Sequence, residues 1–222
     1  IFDPKVKLNP EDKTSITFED FLRLGDNAPV ESTVKVRMKE ASPEDLATII
    51  YTLGTTGESK GVMLHHSNFF ELFRIHDIRL PMVNDRDVSM CFLPLTHVFE
   101  KAWVSFCIHK GVTIAINQDP KMIQRNLPEV NPTLMCNVPR FWEKVYVGVH
   151  EKIAGFPGFL QKFANNAIKT GYSYNLDYLN NNKKPPFGLK LKFKFYDATI
   201  FTVLKKVLGI DKGRLFPAAG AP

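Results

Sequence analysis

Cysteine is scarce. The 222 residues hold three, Cys91, Cys107 and Cys136. An odd number at wide spacing excludes a disulfide framework and offers no metal-ligand pattern. Each sits among apolar neighbours, so all three read as buried free thiols of a reducing cytosol. No uninterrupted apolar run approaches the ~20 residues of a membrane span. A secretory signal pattern is missing, as is any internal repeat, and low complexity is confined to the Asn-Lys-Pro stretch at 180–186. Neither Gly-x-Gly-x-x-Gly nor the Gly-Lys-Ser/Thr phosphate loop occurs, which excludes two common nucleotide-binding signatures. Acidic residues are in deficit, 23 against 29 basic ones, for a net charge of +6. That surplus admits nucleotides, CoA, a lipid surface or nucleic acid as partners and selects none of them.

What is present is enough for a core. Hydrophobic residues make up 44% of the chain, an ordinary globular share, in one large domain or two small ones. The chain opens on Ile1 and stops at Gly220-Ala221-Pro222. Both ends read as cuts, so a segment of a longer protein is expected.

The stretch that organises the rest is Tyr51-Thr52-Leu53-Gly54-Thr55-Thr56-Gly57-Glu58-Ser59-Lys60-Gly61. One apolar run, from Leu46, enters it and another, Val62-Met63-Leu64, leaves it. Glycines let backbone approach a ligand closely. Successive N–H groups in a tight turn form an anion-binding concavity. Hydroxyls add donors and Lys60 a full charge. A plain turn between two strands has the same composition, so both readings stand at this level.

Periodicity outlines the remaining elements. Thr17 caps a short helix to Leu24, with Asp20 three residues on. Val34, Val36 and Met38 alternate as in a strand. Strands are expected at 47–51, 62–65, 88–93, 112–116 and 133–138. Helices are expected from Ser67 to about Leu80, from Val98 to His109, at 122–130, at 140–153 and at 159–168, and a polar loop at 177–186. Leu189 to Phe195 alternates apolar and basic residues, a strand by period, although its continuation to Leu208 reads as helix. Strand–helix alternation makes the fold class α/β, a mostly parallel sheet with flanking helices and right-handed crossovers. Residues 1–45 form a lead-in and 46–222 the main domain.

Three further stretches carry candidate chemistry. Leu93-Pro94-Leu95-Thr96-His97-Val98-Phe99-Glu100 ends a strand where ligands gather in open parallel sheets. A lone histidine among apolar residues is more often structural. Phe99, Trp103 and Phe106 follow at helical spacing, as a core stripe does. Lysines interleave with aromatics over 183–195, which suits anionic lipid or single-stranded nucleic acid, and equally a solvated face.

These blocks carry a resemblance. Residues 51–61 resemble the signature loop Tyr-Thr-Ser-Gly-Thr-Thr-Gly-x-Pro-Lys-Gly of the adenylate-forming superfamily, with Leu53 in place of Ser and Ser59 in place of Pro. Pro94-Leu95-Thr96-His97-Val98-Phe99-Glu100 and Val138-Pro139-Arg140-Phe141-Trp142-Glu143-Lys144-Val145 look like blocks of its long-chain fatty acid–CoA ligases. Ala218-Ala219-Gly220-Ala221-Pro222 is similar to that family's Ser-Gly-Gly-Ala-Pro. The resemblance implies part of an adenylate-forming N-terminal domain, acting with ATP, Mg2+ and CoA on a fatty acid. In the implied reaction the fatty carboxylate attacks the α-phosphate of ATP, giving acyl-AMP and pyrophosphate, and the CoA thiol then displaces AMP. It implies that Thr52, Gly54, Thr55, Thr56, Gly57 and Lys60 bind the ATP phosphates, and that His97, Gly220, Ala221 and Pro222 lie at the acyl-adenylate site. Phe99 and Trp103 would wall the acyl tunnel. No catalytic residue and no metal ligand is assigned to this segment. The family's C-terminal lid domain has no counterpart here, so the segment alone is expected not to turn over. The expected location is cytoplasmic, with peripheral membrane contact through 183–195 and no nucleic-acid partner. Rival readings are an aryl- or amino-acid-adenylating ligase, or a non-catalytic basic module binding lipid or nucleic acid.

Overall fold

A computed structural model describes residues 3, 5–26, 30–52 and 57–220. Its centre is a parallel sheet of three strands, β3 (Val88–Cys91), β4 (Thr113–Ile116) and β5 (Leu134–Met135), in the order β4-β3-β5. Val88 pairs with Thr113 and Ser89 with Leu134. The expected strand 133–138 narrows to two residues. Beyond them the backbone continues in parallel bridges, Leu134 to Leu215 and Asn137 to Ala218. Residues 215–218 thus extend the sheet beside β5.

Both faces of this sheet are covered, as parallel sheets require. On one face lies α4 (Val98–His109), whose Trp103, Phe106 and Cys107 pack with Leu134, Cys136 and Val83. On the other lies α5 (Ile123–Val130), whose Ile123 and Leu127 meet Met90 and Met135. Phe106 has no exposed surface, and full burial of such a side chain contributes about 1.5–3 kcal/mol. Helix α3 (His66–Arg79) backs α4, with the rings of Phe73 and His109 stacked at 4.6 Å. Asp77 binds both His109 and Lys110 at 3.0 Å. The expected start of α3 at Ser67 moves to His66, because the Asn68 side chain accepts from the His65 N–H at 2.8 Å and closes the first turn there.

A buried carboxylate fastens the start of β3. Asp87, 1% exposed, accepts from the Thr133 hydroxyl at 2.7 Å, from Arg214 at 2.9 Å and from the Asn84 N–H at 3.1 Å. Three separate stretches therefore meet on one side chain.

The strands on either side of the glycine-rich turn stand apart. Strand β1 (Leu46–Thr52) pairs antiparallel with β2 (Lys60–His65), Thr52 opposite Lys60, as a separate two-stranded hairpin. The strand that enters the turn, expected as part of a mostly parallel sheet, pairs instead within this hairpin. Strand β1 can reverse into β2 within seven residues, whereas a parallel neighbour would need a crossover of a dozen or more.

The N-terminal lead-in holds α1 (Phe18–Arg23), capped by the Thr17 hydroxyl accepting from the Asp20 N–H, as expected. The alternation at 30–39 does not form a strand; it is helix α2 (Val30–Glu40). Val34, Val36 and Met38 are 45–73% exposed, so no sheet rewards their alternation. Glu31 and Lys35 pair at 2.7 Å one helical turn apart.

After β5 come α6 (Pro139–Ala154) and α7 (Gly158–Tyr172), broken at Gly155–Gly158 as expected. The start of the polar loop expected at 177–186 is helical: α7 runs on as π-type helix over Ser173–Leu179. The alternating segment 189–195 is not a strand either. It lies in α8 (Phe187–Tyr196), which starts after Pro186 and sets Phe193 on Tyr174 at 4.0 Å. A π-type turn, Asp197–Phe201, leads into α9 (Thr202–Leu208). Gly209 ends α9 at φ +68, and an added Cβ would clash with the Pro128 backbone. Only glycine lets α9 close onto α5.

Candidate functional site

The C-terminal edge of the parallel sheet collects two of the blocks singled out in the sequence. Strand β3 runs into Phe92–Thr96, and His97 occupies the N-cap position of α4. Beside β5, the Asn137 N–H donates to Pro217 O at 2.9 Å and the Ala219 N–H to Asn137 O at 3.1 Å. Parallel pairing of 215–218 therefore delivers Gly220, at φ +106, to the edge that also carries His97. A backbone at that φ favours glycine, and nothing stands within 4 Å of its Cβ position. Ala221 and Pro222 lie outside the described residues.

His97 is exposed, and its side chain makes no capping hydrogen bond. Its N–H donates to Pro94 O at 3.0 Å, holding the Leu93–His97 turn. The positive end of the α4 dipole points toward the sheet edge, a setting that favours an anion. Phe99 is half-buried against the core, whereas Trp103 is 4% exposed and donates its indole N–H to Ser89 Oγ at 2.9 Å. The stripe Phe99, Trp103 and Phe106 thus packs as core.

The hairpin comes alongside through α4. Lys101 Nζ donates to Thr48 Oγ1 at 3.3 Å. Thr48, Ile50 and Thr52 share one strand face, and Ile50 is 8% exposed. Thr52 stands about 13 Å along the strand from Thr48, four residues at ~3.3 Å each. Its hydroxyl donates to Lys60 O at 3.4 Å, bracing the hairpin below the turn. Gly57 is at φ +92 with nothing within 4 Å of its Cβ position. Lys60 is exposed and has no ion pair among the described residues. Gly54, Thr55 and Thr56, with Leu53, lie outside them. An open glycine and a lysine with no ion pair among the described residues, both beside the turn, fit a polyphosphate. Among the described residues no three His, Cys, Asp or Glu side chains converge.

Three residues of this region escaped the sequence reading. Asn137, fully buried, accepts from Trp142 Nε1 at 2.6 Å, donates to Met135 O at 3.2 Å, and holds 217–219 through its backbone. A polar residue inside the apolar run 134–138 was its signal. Lys101 had none. Glu100, one turn into α4, is 0% exposed. Its carboxyl lies near the Cys91 thiol and the backbone N–H groups of Phe92 and Leu93, yet neither oxygen closes a hydrogen bond among the described residues. Burial outweighs these neighbours and raises its pKa, favouring the neutral form. The same burial, with Glu100 adjacent, pushes the Cys91 thiol up to about 12. All three cysteines are buried and free, as expected.

Fold and site together define a class: an α/β domain whose candidate ligand groups gather at the C-terminal edge of a parallel sheet, with a glycine- and threonine-rich hairpin turn strapped beside it. Residues 3–177 match the AMP-binding enzyme family, and the chain belongs to that family of adenylate-forming ligases. It is 32% identical over 211 residues to long chain acyl-CoA synthetase 5 of Arabidopsis thaliana, a match covering 93% of this chain and 29% of that protein. Fatty acyl-CoA synthetase B of Dictyostelium discoideum is also 32% identical over 211 residues, covering 94% of this chain and 29% of that one. The chain thus spans less than a third of the length of these relatives. The solved ATP-bound MatB of Rhodopseudomonas palustris aligns with 47% of this chain and 21% of its own, at 29% identity and a TM-score of 0.39, a partial overlap only.

Proposed function

We propose that the chain supplies the phosphate grip and part of the acyl-adenylate site of a long-chain fatty acid–CoA ligase, AMP-forming, working in the cytoplasm. The observation that carries this is the meeting at one sheet edge of His97, at the head of α4, and Gly220, delivered by 215–218, with the Lys60 hairpin tied to the same helix by Lys101 and Thr48. The relatives' names supply the substrate class.

In this reading a fatty carboxylate oxygen attacks the α-phosphorus of ATP. The bond to the bridging oxygen breaks and pyrophosphate leaves with the electron pair. Thr52, Gly54, Thr55, Thr56, Gly57 and Lys60 hold the β- and γ-phosphates, and Lys60 neutralises charge that grows on the departing group, an electrostatic role. His97 and residues Gly220, Ala221 and Pro222 border the acyl-AMP. Phe99, with Trp103 behind it, walls the acyl chain. The CoA thiol then attacks the acyl carbon, loses its proton and expels AMP. Mg2+ accompanies ATP as its counter-ion.

Fatty-acid-dependent ATP–pyrophosphate exchange tests the reading, in a polypeptide of the relatives' length that contains this chain. Palmitate should support exchange while coumarate and amino acids do not. Exchange driven by coumarate or an amino acid instead would overturn the fatty-acid assignment. The 222-residue chain alone should show none, and robust exchange by it would overturn the view of it as a partial site.

A further inference from the structure

Helix α8 buries one face and leaves the other largely exposed among the described residues, with the Phe195 ring at its edge meeting Phe163 at 6.2 Å. Phe193 stacks on Tyr174, and Tyr196, 6% exposed, meets the Phe163 ring edge-on at 5.3 Å. On the opposite side Phe187, Leu191 and Phe195 recur every four residues in one stripe, at 81%, 61% and 55% exposure. Large apolar side chains this exposed and this aligned mark an interaction surface.

The charge around the stripe narrows the partner. Between Asp177 and Asp197 there is no acidic residue, while Lys183, Lys184, Lys190, Lys192 and Lys194 occur. All five are exposed, and none pairs with a carboxylate among the described residues. By helical position Lys190 and Lys194 flank the stripe on one side and Lys192 on the other. A second copy of this chain docking face to face would set these lysines against their own images. A lipid surface with anionic headgroups answers both features at once. Aromatic and leucine side chains enter the headgroup–acyl boundary, and lysines run their stems along it with the ammonium groups in the phosphate layer. Among the described residues no helix is long and apolar enough to cross a membrane, so the contact is one of lying on the surface.

We propose that α8 docks the protein on an anionic lipid surface, with Phe187, Leu191 and Phe195 inserted and Lys190 and Lys194 against the headgroups. This does not rest on the adenylation reading, and its test needs neither ATP nor fatty acid.

The test uses the full chain with vesicles of phosphatidylcholine, with and without phosphatidylserine, at low and high salt. Cosedimentation should require phosphatidylserine and weaken with salt. Each of Lys190→Gln and Lys194→Gln should lower partitioning about fivefold, from the ~1 kcal/mol a lysine contributes near an anionic surface. Joint replacement of Phe187, Leu191 and Phe195 by Ser should abolish it while the chain still unfolds cooperatively, the loss of stability being confined to the edge contact of Phe195 with Phe163. Should that triple variant not fold, Leu191→Trp decides independently. The emission it adds to that of Trp103 and Trp142 should shift to the blue and be quenched by brominated lipid with phosphatidylserine vesicles only. Binding indifferent to phosphatidylserine, binding unmoved by every α8 variant, an unshifted added emission in Leu191→Trp, or self-association that Leu191→Glu disrupts would each overturn the proposal. So would binding to a single-stranded oligonucleotide in preference to vesicles.

Discussion

The parallel sheet and the β1–β2 hairpin are built on opposite terms. Around the sheet, Met90, Leu134, Met135, Cys136 and Phe106 are at most 1% exposed, and Asp87 locks three chain segments together. In the hairpin, Tyr51 and Met63 are 68% and 64% exposed, and of the described residues of its two strands only Ile50 is buried. Yet both carry parts of the candidate site. The sheet supplies rigid placement for His97 and Gly220. The hairpin supplies Gly57 and Lys60, both exposed. Sites divide this way when one group must be fixed and another must meet a large anionic ligand arriving from solvent.

The difference can be pressed from the sheet side first. Asp87→Ala takes the buried acceptor from the half-exposed Arg214 guanidinium and the Thr133 hydroxyl, and should lose about 2 kcal/mol of stability, the scale of hydrogen bonds to a charged group. Urea denaturation would measure it. A loss no larger than that of an exposed residue would mean that the sheet is not pinned there.

A second effect comes from the thiols packed under α4. Burial pushes Cys91 up to about 12 and Cys107 to about 11, from an ordinary 9.0. Above pH 9 the unfolded chain ionises these thiols while the folded one does not, so unfolding releases protons. Stability should be full below pH 9 and fall as pH rises from 9 toward 11–12. A thiol reagent at about pH 8, below the thiols' ordinary range, should leave Cys91, Cys107 and Cys136 unlabelled in the folded protein and label all three in denaturant. Rapid native labelling would show that the sheet region opens as readily as the hairpin.

The smallest stability effect belongs to the hairpin. Lys60→Ala removes an exposed side chain with no ion pair among the described residues, and should change stability by no more than about 0.5 kcal/mol.

Much of this division was legible in the sequence. The strands expected at 88–93 and 112–116 form β3 and β4, although Thr113 and Ile116 at the ends of β4 are exposed, and glycine with proline marked most helix ends. The two strand assignments that failed, at 30–39 and 189–195, share a cause. Alternation signals a strand only when a sheet edge is there to receive it, and both segments instead met helical surroundings: the Glu31–Lys35 pair in one case, Tyr174 beneath Phe193 in the other. The strands at 47–51 and 62–65 were both expected; what the sequence did not show was their antiparallel pairing with each other, because strand–helix alternation over the rest of the chain pointed to one parallel sheet. Within the site, the residues proposed to act on a ligand were singled out by the family resemblance of their blocks. Those that position them were not. Lys101 reaches Thr48 across 53 residues, and Asn137 works mainly through its backbone, neither of which leaves a local pattern.

The central claim is that the hairpin tip grips polyphosphate through Lys60 while contributing little to the fold. Calorimetric titration of Mg-ATP into the chain and into Lys60→Ala tests it most directly. A charge-assisted hydrogen bond contributes ~1.5–3 kcal/mol, so the variant should bind at least about tenfold more weakly, with its unfolding midpoint unchanged. Equal affinity in the two proteins would contradict the claim.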